Sequence, residues 1–88
     1  MIGQFVMSKA GHDKGTLYVI VAEDRKYVFL SDGKLKSVTS PKKKSRKHIQ
    51  PVNACVETGL CEKLMQGQMV QPEQIRFAIR QFNTTIDQ

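Results

Sequence analysis

The sequence predicts a mainly β fold: a small barrel or strongly bent sheet in the first part of the chain, followed by a short helical extension. Three observations lead there. Short β-branched and aromatic runs separated by turn residues fill positions 3–38; a lysine-rich segment without aliphatic residues begins at Thr39; and beyond Pro51 apolar residues recur at four-residue spacing. With 88 residues the chain is long enough for one small domain with a modest core. The expected organisation is a barrel over 1–50, which includes a basic segment at 39–48, and a helical C-terminal extension over 51–88 packed on it.

In chain order, GQFVMSK from Gly3 to Lys9 alternates Phe5 and Met7 with Gln4, Val6 and Ser8, which suits a strand with one well-buried face. Leu17 to Ala22 is β-branched and aromatic, too short for a helix and bounded by turn signals, so it reads as a central strand. Glu23, Asp24 and Arg25 form the next turn. Lys26 to Ser31 makes a third strand, and Asp32-Gly33 signals a tight hairpin because a type I′ turn needs positive φ at both central residues. Leu35, Ser37 and Val38 are expected to begin a fourth, shorter strand. Strands this short, joined by tight turns, favour a closed or bent sheet over a flat one with exposed edges. TSPKKKSRKH, from Thr39 to His48, then reads as an exposed cationic segment. Val56, Leu60 and Leu64 fit a short amphipathic helix that Gly67 ends, with Gly59 a weak point in its middle. The last helix is the clearest. Pro72 suits its first turn, Glu73 complements its positive end, and Ile75, Ala78, Ile79 and Phe82 form a stripe expected to pack on the barrel, leaving Arg76 and Arg80 on another face.

The loop KAGHDKG before the central strand carries two glycines. A phosphate-cradling P-loop needs G-x-x-x-x-G-K-[ST] before a helix, so that backbone N–H groups, a lysine and a hydroxyl converge on the phosphates. Gly11 and Gly15 are one residue too close, Thr16 follows glycine without an intervening lysine, and a strand follows. Nucleotide hydrolysis is therefore not expected. Gly11, Asp13 and Gly15, like Gly33 later, are turn formers that join strands. The stretch VMSKAGHDKGTLYVIV, Val6 to Val21, resembles the KOW motif, a strand, loop and strand signature with a central glycine and a valine-rich second strand. Gly15 takes the place of that glycine and Lys14 precedes it. DGKLK at Asp32 to Lys36 and PKKKSRKH at Pro41 to His48 extend the resemblance to small ribosome-associated KOW proteins. It implies an SH3-like β-barrel that binds RNA, in particular ribosomal RNA of the large subunit, with ribosomal proteins as possible neighbours, in the cytoplasm and as a monomer.

The charge balance points the same way. Fourteen Lys and Arg against eight Asp and Glu give a net charge of +6, which favours polyanionic partners. Lys34, Lys36, Lys42, Lys43, Lys44, Arg46, Lys47 and His48 concentrate the cations, and Lys9, His12 and Lys14 add candidate contacts from the glycine loop, where the backbone can approach a phosphate closely. Phe5, Tyr18, Tyr27 and Phe29 have rings able to stack on bases, although aromatics at alternating strand positions are usually core. Recognition is expected through backbone and shape. Neutralising about seven phosphates implies a log–log salt slope near about −5, and replacing Lys42, Lys43, Lys44, Arg46 and Lys47 is expected to weaken binding with the fold intact.

Other functions have less support. No apolar run is long enough to span a bilayer, and MIGQFVMSK has neither the basic start nor the long apolar stretch of a secretory signal. Cys55 and Cys61 have five residues between them, unlike a zinc knuckle or a C-x-x-C redox pair, so two reduced thiols are expected and no metal or other cofactor. No carboxylate pair or Cys/His nucleophile signature suggests an enzyme. KKKSRK also fits a nuclear-targeting signal on composition alone. The main alternative to RNA binding is an SH3-like protein-interaction module. The absence of Trp and the presence of only two Tyr argue against the usual aromatic groove of that class.

Overall fold

The computed structural model describes residues 1–86; residues 87–88, the end of the expected extension, lie outside the described residues. Five strands form one antiparallel sheet: β1 (Gln4–Ser8), β2 (Leu17–Glu23), β3 (Tyr27–Ser31), β4 (Lys42–Ser45) and β5 (Ile49–Cys55), in the order β4-β3-β2-β1-β5. A 3-10 turn over Arg46–His48 joins β4 to β5, and two helices follow, α1 (Thr58–Met65) and α2 (Pro72–Ile86). The fold is thus mainly β, as the sequence predicts, but the sheet is not closed.

Alternation along the strands sends side chains to two separate cores. Val6, Tyr18, Ile20, Val28, Leu30 and Ile49 pack together on one face. Phe5, Val19 and Val21 lie on the other face under Leu60, Leu64 and Ile75 of the helices. Both faces of β2 are therefore covered, which is why LYVIVA is almost continuously apolar instead of alternating. Irregularities between Ile20 and Ala22 and between Gln4 and Val6 interrupt the β2–β3 and β1–β5 registers, and bulges of this kind bend a sheet around its core. In β1 the buried residues are Phe5, Val6 and Ser8, whereas Met7, expected on the inner face, is 38% exposed.

Two expected elements differ. Leu35–Val38 does not form a strand. Asp32 Oδ1 accepts the backbone N–H groups of Lys34 and Lys36, and Ser31 Oγ donates to the Lys36 carbonyl, so the loop closes on itself. Val38 packs against the helical core instead of pairing. Gly33 has φ +72°, as a turn glycine should, but its surroundings are unexpected: a Cβ there would lie 2.5 Å from the Pro72 carbonyl oxygen and 2.9 Å from Arg76 N. It is the point at which the loop meets the first turn of α2.

The fourth strand lies inside the segment read as an exposed lysine run. Lys42–Ser45 pairs with Tyr27–Leu30, and β5 continues to Cys55 along β1, so the boundary expected at 50/51 falls within a strand. In α1, Glu57 caps the N-terminus by accepting from Leu60 N at 2.9 Å. After α1, Gly67 at φ +70° ends the helix as expected. α2 places Ile75, Ala78, Ile79 and Phe82 on the sheet, with the Phe82 ring stacked on Phe5 at 4.7 Å between centroids.

Candidate nucleic-acid interface

Asp13 organises the glycine loop. Ser8 Oγ and Tyr18 Oη each donate to its carboxylate at 2.9 Å, Lys44 Nζ does so at 2.7 Å, and Lys42 Nζ pairs with it at 2.8 Å. Lys44 also donates to the Ala10 carbonyl at 2.8 Å. The two lysines face inward because they lie opposite Leu30 and Val28, and directly paired residues share a face. Side chains from β1, β2 and β4 thus meet on one carboxylate where no backbone pairing joins β4 to β1. Burial opposes ionisation of Asp13, but hydrogen bonds from Lys42, Lys44, Ser8 and Tyr18 outweigh it and hold the carboxyl far below its usual range. Burial, followed by the neighbouring Asp13 carboxylate, pushes the Tyr18 phenol well above its ordinary value.

This geometry divides the expected RNA contacts. Lys44 is only 9% exposed and, with Lys42, is committed to Asp13. Arg46 donates from Nη2 to Glu23 at 2.8 Å and from Nε to the Asp24 carbonyl at 3.0 Å. The Arg46 bond, the largest cause, holds the Glu23 carboxyl below its ordinary range. Replacing the whole cationic group would remove both lysine partners of Asp13 and the Arg46 partner of Glu23, leaving Asp13 with Ser8 and Tyr18 and Glu23 with the N-terminal ammonium, so a cost in stability is expected beside any loss of binding. Lys43 points the other way and sets its ammonium 4.2 Å from the centre of the Tyr27 ring. Lys34 and Lys36 are exposed on the loop that Gly33 joins to α2.

Several cations that have no acidic partner among the described residues come together around the 3-10 turn. Lys9 N donates to the His48 carbonyl at 2.8 Å, which places the glycine loop, with exposed Lys9, His12 and Lys14, beside exposed Lys47 and His48. Lys47 in turn lines a cleft of about 470 Å³ with Arg25, Lys26, Tyr27, Ser45 and Arg46. No family model and no curated protein matches the chain.

From sequence, Arg25 belongs to a turn and Lys26 to the start of a strand, with no binding role for either. The signal available was the pair of cations after Asp24, whose carboxylate accepts the backbone N–H groups of Tyr27 and Lys26 at 2.8 and 2.9 Å. Those bonds, Tyr27 first, lower the Asp24 pKa and fix the turn that presents Arg25 and Lys26. A second concavity, of about 570 Å³, lies between Ala54–Leu60 and α2 and includes Phe77, which is 56% exposed. Cys55 and Cys61 are both free thiols. Among the described residues no cluster of three or more His, Cys, Asp or Glu could hold a metal ion, and no helix is long and apolar enough to cross a membrane.

Proposed function

We propose that the protein is a non-catalytic RNA-binding module of the SH3-like, KOW type, with ribosomal RNA as its partner in the cytoplasm. The observation that carries this reading is the continuity of unpaired cations from Lys9 and Lys14, past Lys47 and His48, to Arg25 and Lys26. Three segments distant in sequence contribute to it. The strand order and the 3-10 turn between β4 and β5 support an SH3-like reading, with the Asp13 cluster tying β4 to β1 and β2 through side chains. Because Lys42, Lys44 and Arg46 are neutralised internally, about five phosphate contacts remain, which corresponds to a log–log salt slope of about −3.5 on single-stranded RNA instead of about −5.

Fluorescence anisotropy of a labelled RNA across a salt series tests this reading. The expected result is the shallower slope, falling by a further ~1.4 when Lys9 and Lys47 are both replaced by Gln. Absence of binding at low salt, or a slope indifferent to those substitutions, would refute it. A protein-docking role draws on a different surface, the apolar concavity beside exposed Phe77. Partners that remain bound after nuclease treatment would favour that role.

A further inference from the structure

The cleft at the β2–β3 turn has features that a generic cationic surface does not need. Its two walls are tied together: Arg46 N donates to the Lys26 carbonyl at 3.1 Å, and the Arg46 guanidinium is fastened to Glu23 and Asp24. Arg46 is therefore a strut, while exposed Arg25, Lys26 and Lys47 line the cleft without an acidic partner among the described residues. Ser45 Oγ accepts from Lys47 N at 3.3 Å, which leaves its own proton available to an anion. Tyr27 adds an aromatic ring to the lining; the Lys43 ammonium, 4.2 Å from its centre, covers one face, so a base would take the other face or displace Lys43. The volume of about 470 Å³ lies within the range of small-ligand sites, roughly 300–1,000 Å³.

We infer that this cleft is a subsite for one unpaired nucleotide of RNA, with its phosphate held by Arg25, Lys26 and Lys47 and its base against Tyr27. The inference rests on the RNA-binding reading above and adds strand selectivity to it. Phosphate alone would be served by the cations; an aromatic ring among them suits a base, and a base can enter a cleft only when it is out of the helical stack. Duplex RNA keeps its bases inside and meets only the cationic track. The protein should therefore hold single strands, bulges or ends more tightly than a continuous duplex.

The full chain is titrated with an eight-nucleotide uridine strand and with a blunt RNA duplex, alongside the Tyr27→Thr, Tyr27→Phe and Arg25→Gln/Lys26→Gln variants. The single strand is expected to bind the wild type more tightly than the duplex. Tyr27→Thr should weaken single-strand binding about tenfold, with duplex binding unchanged and Tyr27→Phe close to wild type. The Arg25→Gln/Lys26→Gln variant should weaken both. Because Tyr27→Thr could disturb β3, the wild-type Tyr27 ring protons are also followed by NMR: uridine 5′-monophosphate should shift them and inorganic phosphate should not. RNA binding that is indifferent to Tyr27 and to strandedness, or ring protons that do not respond to the nucleotide, would overturn the subsite while leaving the RNA-binding reading in place. Failure of the wild type to bind either RNA would overturn both.

Discussion

Asp13 shows how one side chain can serve the fold and define the binding surface together. Its carboxylate is 13% exposed and takes charge from Lys44, which is almost wholly buried, and from the more accessible Lys42. Asp13→Asn would leave the Lys44 ammonium without a counter-charge. Loss of a buried partner costs about 3–5 kcal/mol when fully sequestered; with solvent reaching this pair, about 2–3 kcal/mol is expected in urea unfolding. Lys42→Gln should cost less than about 1 kcal/mol. The pH dependence has a definite sign. A carboxyl with its folded pKa depressed contributes fully above its unfolded value of about 3.9, and the contribution is lost as pH falls through the folded value. Wild-type stability should therefore drop on acidification below about pH 4, and Asp13→Asn should flatten that drop, with Glu23 and Asp24 sustaining the remainder. Little of this was legible in the chain. Aspartate between two glycines is an ordinary turn signal, and Lys44 lies 31 positions away. The cations could be identified by composition, but their division into buried struts and exposed contacts depended on tertiary pairing.

At the scale of elements, the junction between the 32–41 loop and α2 distinguishes two glycines that look alike in sequence. Gly15 has φ +89° with no atom within 4 Å of a Cβ, so Gly15→Ala should cost only the left-handed backbone penalty, about 1 kcal/mol. Gly33→Ala adds a collision with Pro72 and Arg76 and should cost about 3 kcal/mol or more. Thermal unfolding of the two variants measures the difference, and equal losses would mean that the loop can move away from α2 freely. β2 and α2 were legible because their patterns were strong: an apolar run bounded by turn signals, and a stripe at helical spacing behind Pro72. β4 was not legible. Three consecutive lysines have little strand propensity, and the segment is a strand because β3 offers a paired edge and Asp13 neutralises its inward side chains. The expected strand at Leu35–Val38 failed for the complementary reason: Asp32 satisfies that backbone locally.

At the scale of the whole molecule, the helices complete the core. Val70, Ile75, Ala78, Ile79 and Phe82 join Leu60 and Leu64 in covering Phe5, Val19 and Val21, so a chain ending at Gln68 would keep only the α1 part of that cover. Such a fragment is expected to lose its β circular dichroism signal or to precipitate, whereas a self-sufficient barrel over 1–50 would retain a cooperative transition. The open sheet has a further consequence at its lysine edge. An unpaired strand edge invites a strand from another molecule, and β4 presents that edge with Lys43 projecting from one face and Lys42 and Lys44 from the other. A neighbouring copy approaching to pair there would set its own Lys43 near this one and would have to compete with the Asp13 cluster that holds Lys42 and Lys44. The lysines that tie β4 to Asp13 therefore also discourage the protein from assembling edge to edge with itself.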